Sequence, residues 1–309
     1  MRKIAIGSVV IDWGTTNARA YALAAPPGET GAIVEARAAP LGILNVEDGH
    51  FDAAFEELVG GWREEPDIPV LMSGMIGSRQ GWIEAPYAAC PAGPAAVATA
   101  LTPVPGKANV FIVPGVSLSN DGRHDVMRGE EVQCFGAVAL TGERDAVICL
   151  PGTHSKWVAM ADGAIARFAT SMTGETYAVM RRHSILGALM TGTDAEAPGA
   201  AFGTGLTRSG EAGGLLNHLF SVRADGLFEA VPSDGLADYL SGILIGHEVR
   251  AMTGMFAPSG PVLLIGGGAL TARYQAAFGH LGLAVRAVDA EQATVAGLSA
   301  VQRLAAATA

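Results

Sequence analysis

A repeated segment constrains the fold of this chain more than any other feature. Residues 147–171, VICLPGTHSKWVAMADGAIARFATS, predict strand, Gly-Thr loop, strand, Asp-Gly turn and strand, because the apolar alternation stops only at PGTHS and ADG. Residues 4–39 have the same layout, with IAIGSVVID, the loop WGTTN, ARAYALAA, a turn at PPGETG and AIVEARAA. Superposing Gly14 on Gly152 also superposes Thr15 on Thr153. The sequence therefore predicts two copies of one three-stranded module, although two such meanders can also arise independently in a mixed α/β protein.

Length and composition limit the classes of protein. At 309 residues the chain is long enough for two domains of ordinary size. Gly, Pro and charged residues interrupt every apolar run well short of the roughly 18 residues that a membrane span needs. A net charge of −10 disfavours nucleic acid and anionic membranes as partners. Three cysteines without a CxxC pair, and an N-terminus without a small-residue cleavage site, favour a cytoplasmic protein.

The stretch IDWGTTNARAY, residues 11–21, places an acidic residue at the end of an apolar strand. Asp12 is suited to hold a hydrated Mg²⁺ there, while the backbone N–H groups and hydroxyls that follow can cradle phosphate oxygens. An ordinary hairpin turn uses the same residue types, since Asp, Gly and Asn all favour turns. The loop alone does not separate the two interpretations.

A third glycine cluster occurs in PVLLIGGGALTARYQAAF, residues 261–278. The pattern predicts a fully buried strand, a triple glycine and a helix. It does not match the GxGxxG dinucleotide fingerprint. Glycines at this place allow the backbone to approach a flat ligand, and a helix start favours anions, but a plain strand-to-helix turn is an equally open interpretation.

The order of these three glycine loops resembles the superfamily of sugar kinases, actin and heat-shock ATPases. The resemblance implies an α/β protein with two ribonuclease-H-like domains that close over ATP and Mg²⁺ in an interdomain cleft. It implies a first domain of residues 1–137 completed by a C-terminal helix at 290–309, and a second domain of residues 138–289. The implied phosphate-binding residues are Gly14, Thr15, Thr16, Gly152, Thr153, His154 and Lys156, and the implied adenosine-binding residues are Gly266, Gly267, Gly268 and Ala269.

Six segments resemble a narrower family, the 2-dehydro-3-deoxygalactonokinases. They are DWGTTNARAY, SGMIGSRQGW, PYAACPAG, DVMRGEEVQ, LPGTHSKW and TGETYAVMRRHSILG. The resemblance implies ATP-dependent phosphorylation of the terminal (6-)hydroxyl of 2-dehydro-3-deoxy-D-galactonate in galactonate catabolism, with a homodimer left open. A kinase for another sugar acid or sugar, and a non-kinase ATPase or phosphatase of the same superfamily, stay as alternatives. A sugar-sensing regulator is disfavoured because the chain has no basic DNA-reading extension.

A carboxylate near the reacting hydroxyl would orient it and accept its proton. Glu130 is the first candidate, because it follows a glycine at a predicted helix start where related sugar kinases carry an Asp-Gln pair. This chain has Glu-Glu there instead, so Asp125 is the second candidate. Acidic residues in the first turn also stabilise a helix without any catalytic role.

The sugar acid needs cationic and polar partners. SGMIGSRQGW follows the buried strand IPVLM, so it is expected at the carboxyl edge of a sheet, where α/β proteins bind ligands. Arg79 is suited to a bidentate pair with the substrate carboxylate, although it also fits an ordinary surface arginine. The candidate substrate-binding residues are Asn17, Ser73, Gly74, Ser78, Arg79, Trp82, Tyr87 and Arg128.

Overall fold

The computed structural model describes residues 5–24, 32–63, 68–120, 122–191 and 197–308, and the predicted turn at 26–31 lies outside them. The strands are β1 (Ile6–Trp13), β2 (Ala18–Ala24), β3 (Ile33–Ala39), β4 (Val70–Gly74), β5 (Tyr87–Ala89), β6 (Thr102–Pro103), β7 (Val110–Ile112), β8 (Gly115–Asn120), β9 (Arg123–Met127), β10 (Ala146–Leu150), β11 (Ser155–Ala161), β12 (Ala164–Ser171), β13 (Val262–Gly266) and β14 (Val285–Asp289). The helices are α1 (Phe51–Val59), α2 (Pro94–Thr99), α3 (Glu130–Thr141), α4 (Thr173–His183), α5 (Ala200–Arg208), α6 (Gly214–Leu227), α7 (Leu236–Phe256), α8 (Gly268–His280) and α9 (Ala290–Thr308). Short 3₁₀ helices occupy Glu47–Gly49, Met75–Gly77 and Ile185–Leu189.

The chain divides into two units. Unit 1 comprises residues 1–145, 160–168 and 290–309, and unit 2 comprises residues 146–159 and 169–289. The domain boundary after residue 137 stays a prediction of the sequence. No helix in the described ranges is long and apolar enough to cross a lipid bilayer.

Unit 1 is built on a six-stranded mixed sheet of order β3-β2-β1-β4-β7-β6. The first three strands form an antiparallel meander, and β4 and β7 run parallel to β1. In the register of β1 and β4, Asp12 lies opposite Ser73 and Trp13 lies opposite Gly74. The carboxyl ends of two parallel strands therefore bring Asp12 and the segment after Ser73 to one edge. A smaller sheet of order β5-β8-β9 carries Tyr87 and Asp125.

A five-stranded sheet of order β12-β11-β10-β13-β14 contains the strands of unit 2, and residues 160–168 of β11 and β12 are counted with unit 1. Strands β10, β13 and β14 are parallel, and the sequences AVICL and VLLIG are almost wholly buried, as expected for strands covered on both faces. Its strand order matches the order β3-β2-β1-β4-β7 of the other sheet. The predicted α/β fold class is confirmed.

Side-chain periodicity and glycines explain how helices pack in unit 1. On α1, Phe51, Phe55 and Leu58 follow a helical spacing and join the core beneath β1, β2 and β4. Helix α3 packs against α9 at very short range, because a methyl group at Gly136 would collide with the carbonyl of Ala293. This packing fixes the helix whose first turn carries Glu130.

Candidate functional site

The first Gly-Thr loop, residues 14–17, connects β1 and β2. The carbonyl groups of Gly14, Thr15 and Thr16 accept hydrogen bonds from the amides of residues 43, 44 and 42, at 3.1, 3.0 and 3.1 Å. Because a peptide unit is planar and trans, each carbonyl points opposite to the amide of the next residue. The amides of residues 15–17 therefore point away from segment 42–44, and these three residues are exposed. Consecutive amides turned outward form the concave donor set that binds anions.

Asp12 lies at the end of β1, beside this loop. Its side chain is 30% exposed, and its Oδ2 lies 4.0 Å from Nη1 of Arg19 on the neighbouring strand. Burial raises the pKa of Asp12, and the charge of Arg19 opposes that shift. The described residues contain no cluster of three or more His, Cys, Asp or Glu that could hold a metal. A lone carboxylate suits Mg²⁺, which retains several waters and takes only one or two carboxylates.

Two glycines allow close packing of the backbone in this region. Gly74 has φ of 91°, and a side chain there would meet the carbonyl of Trp13 at 2.8 Å and Oδ1 of Asp12 at 3.4 Å. Gly129 has φ of 107°, and its missing Cβ would lie 3.2 Å from Cα of Gly74. Both residues need a conformation that side chains disfavour. The start of α3 is thereby held against the carboxyl ends of β1 and β4.

Two adjacent glutamates begin α3. Glu130 Oε2 accepts a hydrogen bond from the amide of Arg128 at 3.0 Å, and Glu131 Oε2 accepts one from the amide of Gly129 at 2.7 Å. Glu130 is half-buried, whereas Glu131 is fully buried. Burial, followed by the neighbouring charge of Glu130, raises the pKa of Glu131 to about 8. Glu130 is thus the member of the pair that keeps some contact with solvent.

Arg128 is the most unusual cation of unit 1. Its Nη2 donates to the carbonyl of Ala85 at 2.7 Å, and its guanidinium stacks over the ring of Tyr87 at 4.4 Å. Its Nε and Nη1 are buried and have no hydrogen-bond partner among the described residues. A Cβ at Gly77 would lie 2.8 Å from Nη1, so the absence of a side chain at Gly77 makes room for the guanidinium. Buried donors without an acceptor are rare in folded proteins and indicate a missing partner.

The other candidate sugar-acid residues have varied surroundings. Ser73 is fully buried and donates to the carbonyl of Ile11 at 3.4 Å, and Trp82 packs 5.6 Å from Phe55 in the core. Arg79 is 87% exposed and pairs with Glu84 at 3.5 Å. The structure therefore groups Gly74, Tyr87 and Arg128 near the start of α3, and it buries Ser73 and most of Trp82. The exposed residues Asn17 and Arg79 and the half-buried Ser78 complete the set.

Asp125, the second candidate for the base, lies within β9, opposite Leu118 of β8. Its Oδ1 accepts a hydrogen bond from the amide of Val126 at 2.8 Å. This local contact is typical of a short acidic side chain that bonds to its own backbone. The choice between Glu130 and Asp125 as the base stays a prediction.

The second Gly-Thr loop, residues 151–154, connects β10 and β11 in unit 2. The carbonyl of Thr153 accepts a hydrogen bond from the amide of Glu175 at 3.0 Å, and the ring of His154 contacts the carboxylate of Glu175. A Cβ at Gly174 would lie 2.5 Å from the carbonyl oxygen of Gly152. The first turn of α4 therefore lies directly against this loop. Lys156, the remaining predicted phosphate contact, is buried in β11 and donates to the hydroxyl of Thr170 at 2.8 Å.

A pocket of about 220 Å³ lies in unit 2 beside the second loop. Gly152 and Ala269 are both at its wall, so one cavity joins a predicted phosphate residue to a predicted adenosine residue. The remaining lining residues are Thr173, Gly174, Tyr177, Ser241, Leu244, Ile245, Leu270, Arg273 and Tyr274. Sites for whole ligands usually measure about 300 to 1,000 Å³, so this pocket suits one ring system of a larger ligand.

The triple glycine lies at the end of β13 and the start of α8. A Cβ at Gly266 would collide with the hydroxyl of Thr271, and Gly268 has φ of 66°. Gly267 is the extended residue before the helix. These glycines shape the turn, while Ala269 and the side chains of α8 provide the surface of the pocket.

Three supporting segments were missed by sequence reasoning. They are residues 42–45 behind the first loop, the first turn of α4 behind the second loop, and the face of α7 in the pocket wall. The glycines Gly42 and Gly174 were the available signals. Each allows backbone to approach a loop that is distant in sequence, and a single glycine does not reveal which loop that is.

Comparison with known proteins gives consistent matches over nearly the whole chain. A sequence model of the 2-keto-3-deoxy-galactonokinase family matches residues 12–301. The chain is 38% identical over 293 residues to the 2-dehydro-3-deoxygalactonokinase of Escherichia coli (strain K12), and the match covers 95% of this chain and 96% of that protein. A crystal structure of a candidate 2-dehydro-3-deoxygalactonokinase from Sinorhizobium meliloti superposes with a TM-score of 0.88 at 37% identity, covering 96% of this chain and 98% of that one.

A more distant structure shares the fold alone. It is the activator of the 2-hydroxyisocaproyl-CoA dehydratase from Clostridium difficile, solved with bound ADPNP. The TM-score is 0.51 at 15% identity, and the match covers 97% of this chain and 95% of that one.

Proposed function

The chain belongs to the 2-keto-3-deoxy-galactonokinase family, and we propose that it transfers the γ-phosphoryl group of ATP to the terminal hydroxyl of 2-dehydro-3-deoxy-D-galactonate. The substrate assignment rests on the surroundings of Arg128. A buried guanidinium with two N–H groups lacking partners calls for an anionic acceptor, and a sugar acid supplies a carboxylate. The exposed Arg79 already has Glu84 as its partner and a large exposed surface, so we assign the carboxylate to Arg128 in preference to it.

For the nucleotide we assign the pocket of unit 2 to the adenosine moiety of ATP. Leu244, Ile245 and Leu270 provide apolar surface for a purine ring, and Gly152 at the pocket wall brings the second loop next to it. The outward amides of residues 15–17 and the second loop are the proposed donors to phosphate oxygens. Asp12 would hold Mg²⁺ through its water shell, and the ion, when bound, would neutralise phosphate charge.

The chemistry asked of the protein is small. The terminal hydroxyl oxygen attacks the γ-phosphorus, the bond from that phosphorus to the bridging oxygen breaks, and ADP leaves. Glu130 is the proposed acceptor of the hydroxyl proton, because it is a half-buried carboxylate held in place by the amide of Arg128. The outward amides of the loops supply donors for the charge that spreads over the phosphoryl oxygens.

ADP formation with and without 2-dehydro-3-deoxygalactonate tests the proposal. We expect ADP release only with the sugar acid. Replacement of Arg128 by Gln should raise KM for the sugar acid about 10- to 100-fold, because a charge-assisted hydrogen bond contributes about 1.5 to 3 kcal/mol. Arg79→Gln is the matched control and should leave KM near the wild-type value. ADP release that ignores every sugar acid would favour a non-kinase ATPase, and release with a different acid or sugar would redirect the substrate assignment.

The same assay tests the base. Glu130→Gln should lower kcat by about 10² to 10⁴-fold with little change in KM for the sugar acid. Asp125→Asn removes a carboxylate from the neighbouring strand and should have a small effect. The reverse result would transfer the role to Asp125.

A further inference from the structure

A buried glutamate lies behind the second loop in unit 2. Glu248 belongs to α7 and is 6% exposed. Its Oε1 accepts a hydrogen bond from Nε1 of Trp157 at 2.8 Å, and its Oε2 accepts one from the hydroxyl of Tyr274 at 2.6 Å. Both carboxylate oxygens are therefore occupied by donors, which is the arrangement that an ionised carboxylate requires.

The hydrogen bonds continue from Glu248 to the loop. The hydroxyl of Tyr274 lies 2.9 Å from Oγ of Ser155, and the amide of Gly152 donates to the same Oγ at 3.4 Å. Because Tyr274 gives its only proton to Glu248, its oxygen can only accept from Ser155, whose Oγ also lies 3.5 Å from the carbonyl oxygen of Gly152. The carboxylate thus stands at one end of a hydrogen-bond network that ends on the backbone of the loop.

Two residues of this hydrogen-bond network also line the pocket. Tyr274 and Gly152 both line it, so the ring of Tyr274 borders the ligand while its hydroxyl restrains the loop. Thr173, another lining residue at the start of α4, also hydrogen-bonds to Glu248. The network therefore connects the pocket wall, the loop and the segment that lies behind the loop.

We propose that Glu248 is a positioning residue that orders the second loop for phosphate binding through Tyr274 and Ser155. This inference rests on the proposed assignment of the pocket to ATP. If this polar cluster had only a structural role, its disruption would weaken the affinity for every ligand of the pocket equally. A positioning role predicts a selective loss of affinity for the phosphate-bearing part of the nucleotide.

Calorimetric titration with ADP and with adenosine separates these roles. Tyr274→Phe deletes one hydroxyl and keeps the ring at the pocket wall. We expect Kd for ADP to rise about 10-fold, in line with the loss of about one hydrogen bond, and Kd for adenosine to change less than about twofold. Tyr239→Phe is the matched control, because its hydroxyl bonds to Arg208, Ser221 and Asp225 instead of the loop network.

Glu248→Gln provides the second test. The glutamine amide donates where the carboxylate accepted, so the hydroxyl proton of Tyr274 must leave residue 248 and the hydrogen bond between Tyr274 and Ser155 must rearrange. We expect weaker ADP binding again, a higher KM for ATP and an unchanged KM for the sugar acid. The double variant Glu248→Gln/Tyr274→Phe should bind ADP no more weakly than the worse single variant, because both act through one chain.

Four outcomes decide the proposal. A selective, non-additive loss of ADP affinity supports it. Equal losses for ADP and adenosine, or wild-type ADP affinity in Tyr274→Phe, overturn it while leaving the ATP site in place. Wild-type protein that binds neither ADP nor adenosine overturns the nucleotide assignment and this inference together.

Discussion

The two Gly-Thr loops have nearly the same local sequence and very different supports. The first loop is held by main-chain hydrogen bonds from residues 42–44 to its three carbonyl groups. The second is held by the hydroxyl of Ser155 and by the first turn of α4. Each loop has a glycine behind it, Gly42 for the first and Gly174 for the second, where a Cβ would meet loop backbone. The shared motif specifies the turn, and the rest of each unit specifies what keeps that turn in shape.

A second difference concerns charge. Asp12 precedes the first loop by two residues, and the equivalent position before the second loop is Leu150, which is 4% exposed. A buried leucine side chain has no atom that can bind a metal ion or its water shell. The proposed metal role therefore belongs to one copy of the module.

The largest effect should follow from breaking this asymmetry at Asp12. Asp12→Asn keeps the size of the side chain but removes the charge proposed to hold hydrated Mg²⁺. We expect kcat to fall by about 10² to 10³-fold, the loss typical of one electrostatic group in a reaction centre, with a melting temperature no lower than that of the wild type, because burial disfavours the charge of Asp12. Asp162→Asn, in an exposed pair with Arg144, is the control and should keep full activity. Wild-type turnover in Asp12→Asn would return the first loop to an ordinary hairpin.

The next-largest effect should follow from substitution of the glycines behind the loops. Gly42→Ala would drive a methyl group into the backbone of Thr16, so the loop and its main-chain hydrogen bonds must shift at a cost of about 1 to 3 kcal/mol. We expect KM for ATP to rise about 10-fold. Gly174→Ala should show a smaller rise, because alanine favours helix α4 and offsets part of the strain.

Gly203→Ala controls for the added methyl group, since a Cβ there has no neighbour within 4 Å. This variant should be as active as the wild type. If Gly174→Ala were the more damaging of the first two, the second loop would depend on α4 more than the first depends on residues 42–44.

These supports show what the sequence could predict. Repetition and turn chemistry are local properties, so the two three-stranded modules, β1–β3 and β10–β12, and the α/β class could be predicted from the sequence, and the α/β class is confirmed. The segments that hold the two loops lie 22 to 29 residues away from them, Tyr274 lies 119 residues from Ser155, and only tertiary packing brings these residues together. The burial of Lys156 could not be predicted from the sequence. Successive side chains of a strand point to opposite faces of the sheet, and the residues near the loop do not indicate which face is buried.

Two buried glutamates extend the comparison between the units. Glu131 in unit 1 has a hydrogen bond from Gly129 on Oε2, but its Oε1 has no partner among the described residues. Glu248 in unit 2 has donors on both oxygens. Burial raises the pKa of both carboxyl groups, and at Glu248 hydrogen bonds from Thr173, Tyr274, Trp157 and Ser155 oppose the shift. Hydrogen bonds to both oxygens therefore favour the charged form of Glu248 more than the single hydrogen bond favours that of Glu131.

Glu131 makes the stability of the protein depend on pH in a defined direction. Its pKa is about 8 in the folded protein against an ordinary value of 4.5, so between these values the folded state binds the extra proton. Stability from this group is complete below pH 4.5 and is lost as pH rises toward 8, by up to a few kcal/mol. Glu131→Gln cannot ionise and keeps an acceptor for the amide of Gly129. The melting temperature of Glu131→Gln minus that of the wild type should therefore increase by several degrees between pH 5 and pH 8. Glu248→Gln should instead melt below the wild type, because it disturbs a carboxylate whose two oxygens both accept hydrogen bonds; a variant as stable as the wild type would show that these hydrogen bonds add no stability.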